Sequence, residues 1–238
     1  MNIGGFQKQS LIDYPGKVCS IIFTQGCNFR CKFCHNPELV LPELISNAEA
    51  FDENEVLNYL NKNQKLLDAV TITGGEPTIH NDLPEFIGKI KDMGLLVKLD
   101  SNGTNPEMLK QLIDNELIDF IAMDIKAPME IKRYQELAGE HLNETHLDNI
   151  QKSIKLIIDS GIKHDFRTTI LKEHHSKEDI LAIVKEIKGA KQYSLQKFVP
   201  FKVLDKSYLT KESYSETEIE EFANILKDQT DLEIVNNR

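Results

Sequence analysis

Val18-Cys19-Ser20-Ile21-Ile22-Phe23-Thr24 runs directly into Gln25-Gly26-Cys27-Asn28-Phe29-Arg30-Cys31-Lys32-Phe33-Cys34. The first seven residues form an apolar, β-branched run with the length and composition of a buried strand. Beyond Thr24 the run stops, and three thiols follow within eight residues: Cys27, Cys31 and Cys34. They can converge on one centre only if the loop that carries them wraps around it. Cys19 lies inside the strand and reads as a small core residue.

The same strand signal recurs downstream. Apolar runs at 69–73, 95–100, 118–125, 166–171 and 193–199 predict strands, and helical spacing fills 52–65, 82–93, 106–114, 147–160 and 176–188. Asn105 is placed to cap one helix, Ser176 with Asp179 resembles an N-terminal cap, and Ser215 with Glu218 has capping-box spacing for a last helix. About six strand-then-helix units predict an α/β fold with a parallel sheet. Eight would close a full barrel, so six predict an open, partial (β/α)6 barrel, with a flat doubly wound sheet as the alternative. In either case the chemistry belongs on loops leaving the C-terminal ends of the strands.

Composition narrows the class. The 238 residues are 40% hydrophobic, enough for a substantial core. They carry 28 Lys and Arg against 38 Asp and Glu, a net charge of −10, which argues against a nucleic-acid binder. No signal peptide is visible at 1–10 and no stretch is apolar enough to span a membrane, so a cytoplasmic protein with reduced thiols is expected.

A structural zinc site takes four protein ligands, and His35, adjoining Cys34, is poorly placed to turn toward the same ion. Zinc would therefore need a distant histidine. Three thiolates suit a [4Fe–4S] cluster that keeps one iron open.

CxxxCxxC with an aromatic residue before its last cysteine, after the first strand of a partial barrel, resembles the radical S-adenosylmethionine (radical SAM) enzymes. The resemblance implies that Cys27, Cys31 and Cys34 ligate a [4Fe–4S] cluster whose fourth iron is chelated by S-adenosylmethionine, with Phe33 beside the adenine. Gly74-Gly75-Glu76 resembles the family segment that holds the methionine amino group. Two glycines also permit close backbone approach to a ligand, although Gly-Gly before a proline is ordinary turn chemistry. Ser101-Asn102-Gly103 and Asp124-Ile125-Lys126 are similar to the glycyl-radical activases' segments along the ribose and methionine, and Arg167 to an arginine near the same cofactor. By analogy with pyruvate formate-lyase activating enzyme, Asp100 and Asp124 are expected to share a monovalent cation. Phe198 stands where that enzyme carries a histidine. His174 and His175, on a polar loop, are expected to be solvated and receive no role.

Asp13-Tyr14-Pro15-Gly16 before the first strand and Cys34-His35-Asn36-Pro37 after it sharpen the resemblance to the long-form activating proteins of anaerobic ribonucleoside-triphosphate reductase. That likeness implies that residues 1–238 form one radical SAM domain, with a core at about 13–201 and a C-terminal helix and tail at about 202–238. It also implies a reaction sequence. A flavodoxin- or ferredoxin-type donor reduces the cluster, S-adenosylmethionine is cleaved, and the 5′-deoxyadenosyl radical takes a hydrogen from a glycine of the reductase. Alternatives are an activase of another glycyl radical enzyme such as pyruvate formate-lyase, a radical SAM enzyme acting on a small molecule, or a non-enzymatic zinc protein.

Overall fold

The computed structural model describes residues 1–47 and 50–237. The chain packs as two compact units, one formed by 1–28, 36–101 and 105–121, the other by 29–35, 102–104 and 122–238.

In the first unit, β1 (Ile3–Ser10) runs antiparallel to β2 (Cys19–Thr24). Strand β2 is parallel to β3 (Ala69–Gly74), with Cys19 opposite Ala69 and Thr24 opposite Gly74. Next comes β4 (Leu96–Ser101), which pairs Ala69 with Leu96. Strand β1 was not legible as a strand, because Gly4, Gly5 and the polar Gln7-Lys8-Gln9 run depress its propensity. It forms because its partner is strong: β2 is buried at every position but Phe23.

Helices join the parallel strands. The short α1 (Pro37–Val40) and α2 (Pro42–Ile45) follow the cysteine loop. Helix α3 (Glu53–Asn63) starts at Asp52, whose carboxylate accepts from the amides of Asn54 and Glu55. Helix α4 (Leu83–Lys91) buries Leu83, Phe86, Ile87 and Ile90, the stripe its spacing predicts. Asn105 caps α5 (Pro106–Asp114) by accepting from the Met108 amide. Strand β5 (Phe120–Asp124) is divided between the units at Ile121.

The second unit continues the alternation. After α6 (Ile131–Ala138), which the sequence did not announce, α7 (Glu144–Ser160) begins three residues earlier than its apolar spacing indicates, because Asn143 and His146 form a reciprocal capping box. Strands β6 (Lys163–Ile170) and β7 (Gln192–Lys197) pair in parallel, flanking α8 (Lys177–Glu186). Both predicted caps are present, Ser176 with Asp179 on α8 and Ser215 with Glu218 on α9 (Glu216–Gln229). A further parallel strand, β8 (Glu233–Asn237), pairs with β7. No helix among the described residues is long and apolar enough to cross a membrane.

Candidate cofactor site

The expected site residues lie at the C-terminal ends of parallel strands or on the loops that leave them; Arg167, within β6, is the exception. In the first unit, backbone contact positions them. The Gly75 amide donates to Thr24 O (2.9 Å) and the Glu76 amide to Gly26 O (2.8 Å), while Gly26 N donates to Leu39 O (2.7 Å). A Cβ on Gly75 would stand 1.9 Å from Gly26 O, and one on Gly74 2.4 Å from Thr24 N. What these glycines admit is therefore the chain's own backbone: the end of β3 lies against the turn that launches Cys27. Gly74 also takes φ of +112°, which favours glycine.

Just beyond, the Glu76 side chain is buried. Its Oε1 accepts from the Thr78 amide (3.1 Å), Thr78 Oγ1 (2.5 Å) and Ser101 Oγ (2.8 Å). Ser101, expected along the ribose, thus orients the carboxylate expected at the amino group. Asp100, one strand position earlier, accepts from the buried Lys98 ammonium at 2.5 Å. Cys27 is half-buried.

In the second unit, the later part of the cysteine loop is pinned by its backbone. Arg30 N donates to Ala138 O (2.7 Å), Lys32 N to Leu137 O (3.2 Å), and Asp205 N to Lys32 O (2.9 Å). Cys34 N donates to Cys31 O at 3.0 Å, closing a turn between two thiol-bearing residues. The His35 ring stacks on Phe198 and Phe201 (centroids 5.9 and 5.1 Å) and donates Nδ1–H to Lys202 O at 2.6 Å. Phe198, which replaces a histidine in the resemblance, is fully buried beneath it.

Charge dominates the rest of this unit. Asp124 pairs with Lys126 Nζ (2.8 Å) and Arg167 Nε (2.9 Å). Burial works against its charge, but the two cations outweigh burial and hold the carboxyl well below the usual range. Lys126 shows the converse balance, with burial opposed by Asp124 and its pKa raised. The same ammonium lies 5.8 Å from the Phe33 ring centroid, and Phe33 is buried. Burial pushes the Cys31 thiol up to about 12, against the attraction of Lys126. The Asn102 side chain accepts from Thr104 N (3.0 Å) and Thr104 Oγ1 (2.7 Å), a local turn that shapes the loop after β4.

Three elements of the site were not read from the sequence. Thr78, two residues past Glu76, was legible in principle as a local donor. Lys98, two residues before Asp100, shares its strand face by the period of two. His175 gave no signal beyond its polar loop, yet it is fully buried. Its Nδ1 accepts from Leu171 N (3.1 Å) and its Nε2–H donates to Lys126 O (3.0 Å), while burial lowers its pKa to about 4. It is neutral and holds the Lys126 backbone, not solvated as expected. His174 likewise stacks on Tyr208 and shares a hydrogen bond with its hydroxyl at 2.9 Å.

The donor set suits an iron–sulfur cluster. Three soft thiols sit on one irregular loop, and a thiol buried like Cys31 keeps its proton until a metal takes the proton's place. Among the described residues, no three His, Cys, Asp or Glu side chains are gathered as the ligands of an ion. A multi-iron cluster holds its thiolates farther apart than one ion does.

The model of the Radical SAM superfamily matches residues 21–187. A Methanocaldococcus jannaschii protein, provisionally named a glycyl-radical enzyme activating enzyme, is 32% identical over 237 residues, covering 98% of this chain and 95% of its own. The pyruvate formate-lyase-activating enzyme of Listeria monocytogenes is 36% identical over 126 residues, 48% of this chain and 49% of that one. Among solved structures, Streptococcus suis SuiB bound to S-adenosylmethionine superposes with a TM-score of 0.68 at 17% identity, over 89% of this chain and 48% of SuiB.

Proposed function

Since the chain belongs to the radical SAM superfamily and is an enzyme of the glycyl-radical-activating type, with the α/β partial-barrel fold of that superfamily, we propose that it activates anaerobic ribonucleoside-triphosphate reductase. Family membership removes the zinc-protein alternative. The observation that carries the choice of partner is the pair of segments Asp13–Gly16 and Cys34–Pro37, which resemble that group of activases. The first is a built turn: Asp13 O accepts from Thr71 Oγ1 (3.1 Å) and the buried Tyr14 ring packs on Phe120 (6.0 Å). Its flank, Leu11 and Ile12, is exposed.

The cofactors are a [4Fe–4S] cluster and S-adenosylmethionine, which when bound supply one-electron reductive cleavage and hydrogen-atom abstraction from a backbone glycine. In this reading Cys27, Cys31 and Cys34 hold the cluster, and Phe33 lies beside the adenine. Glu76, oriented by Thr78 and Ser101, accepts from the ammonium group. Gly74 and Gly75 fix the approach of that carboxylate to the cysteine loop, and Asn102 shapes the ribose-side loop. Asp124, itself paired with Arg167, holds Lys126 at the cofactor. The chain acts as one catalytic domain, which the match across 21–187 supports. A flavodoxin- or ferredoxin-type donor and a cytoplasmic location belong to the same reading.

The test is a spin-resonance search for a glycyl radical after the reconstituted protein, a reductant and S-adenosylmethionine meet candidate glycyl radical enzymes. A signal on the reductase, abolished by Cys31→Ala together with iron uptake, is the expected result. A signal on pyruvate formate-lyase alone overturns the partner. Cleavage of S-adenosylmethionine without a radical on any candidate overturns the activase reading and leaves the family intact.

A further inference from the structure

Lysine is rarely buried unless its charge is met, and a lysine inside a strand is stranger still. Lys98 is both: it lies in the middle of β4, opposite Thr71 of β3, and is 6% exposed. Strand alternation puts Lys98 and Asp100 on one face of β4. The ammonium reaches forward along that face and lies 2.5 Å from Asp100 Oδ1, with both side chains largely buried. Asp100 is one of the two carboxylates expected to share a monovalent cation. The other, Asp124, has its own resident cations in Lys126 and Arg167. Each expected cation ligand therefore already carries positive charge supplied by the chain itself.

We propose that the Lys98 ammonium is the built-in counterpart of a monovalent cation at Asp100, making Lys98 a positioning residue that frees S-adenosylmethionine binding from sodium or potassium. A compact ammonium on a flexible stem has the charge of such an ion and three donors to distribute. Covalent attachment keeps it in place at any salt composition, whereas a bound ion leaves when its concentration falls. Because Asp100 immediately precedes Ser101, which donates to Glu76, its pairing with Lys98 sets the end of β4 from which that hydroxyl projects. The inference rests on the assignment of S-adenosylmethionine as cofactor and is independent of the choice of protein partner.

The experiment is titration of the anaerobically reconstituted protein with S-adenosylmethionine, read by calorimetry and by the change in the reduced cluster's spin-resonance spectrum. It is run with choline as the sole added cation and repeated with potassium and with sodium. The wild-type affinity is expected to be the same in all three salts. Lys98→Ala, which opens space beside Asp100, is expected to bind at least about tenfold more weakly in choline and to recover in potassium or sodium. Lys98→Arg restores the fixed charge and with it salt independence. A wild-type affinity that collapses in choline and returns with potassium overturns the proposal. So does Lys98→Ala binding as wild type in choline. If Lys98→Ala does not fold, the wild-type salt comparison and Lys98→Arg still decide. Failure to bind in every salt overturns the cofactor assignment itself, an outcome distinct from salt-dependent binding.

Discussion

Glu76 and Asp124 are both carboxylates at the C-terminal end of the strand region, yet the two units hold them by different physics. Glu76 Oε1 accepts from an amide and two hydroxyls, neutral donors that orient the carboxylate. Around Asp124 an ammonium and a guanidinium meet the charge directly. The surroundings differ in the same sense. The segment that carries Glu76 is positioned by glycine-to-backbone contact, and the segment that carries Asp124 by ion pairs and by a buried neutral histidine on the Lys126 carbonyl. Steric change should therefore damage the Glu76 segment, whereas pH and charge change should damage the Asp124 segment.

The largest effect is expected from Gly75→Ala. Its Cβ would meet backbone, Gly26 O at 1.9 Å, so the end of β3 and the Gly26 turn must separate. A loss of about 4 kcal/mol in urea denaturation is expected, with defective iron uptake because Cys27 follows that turn directly. Near-normal stability would show that the contact does not position the first unit.

Next in size is an acid-induced loss in the second unit. His175 titrates at about 4 when folded, against 6.5 when free. The unfolded chain thus binds its proton first. Stability from keeping this ring neutral is complete above about pH 6.5, declines as the pH falls, and is gone near pH 4. The decline attributable to it is on the order of 3 kcal/mol, and His175→Gln should flatten the curve over that window. An unchanged curve would refute the assignment.

Paired substitutions then test the carboxylates against each other. Asp124→Asn leaves Lys126 and Arg167 facing one another without their anion and should cost about 2–3 kcal/mol, less than a fully buried pair because Asp124 retains some exposure. Glu76→Gln keeps an acceptor for Thr78 and Ser101, so stability should change by less than about 1 kcal/mol while S-adenosylmethionine affinity falls about tenfold or more. Equal behaviour of the two variants in both assays would erase the distinction.

Much of this was legible because strand and helix signals are local. The run Val18–Thr24 yields β2 within one residue, and the caps at Ser176 and Ser215 form as their spacing predicts. Strand β1 escaped because its stability comes from pairing with β2 instead of its own residues. The roles of the site residues split along the same line. Cysteine spacing can be counted along the chain. That Gly75 faces Gly26, or that His175 is driven into the core onto Lys126 O, depends on contacts between distant segments. Lys98 stands between these cases, since its face follows from alternation but its burial does not.

A more local effect concerns how the second unit holds its share of the cysteine loop. His35 adds ring stacking on Phe198 and Phe201 and one hydrogen bond to Lys202 O, on top of three backbone bonds from Arg30, Lys32 and Asp205. Removing the ring in His35→Ala should cost about 1–2 kcal/mol in denaturation and raise amide exchange across 29–35. His35→Phe restores the stacking without the Nδ1–H donor, so it should recover about half of that loss. Full recovery would mean that His35 acts by ring packing alone. No recovery would place the histidine's share in its hydrogen bond to Lys202 O, and the cysteine loop, like the Glu76 segment, would then be positioned through backbone oxygens throughout.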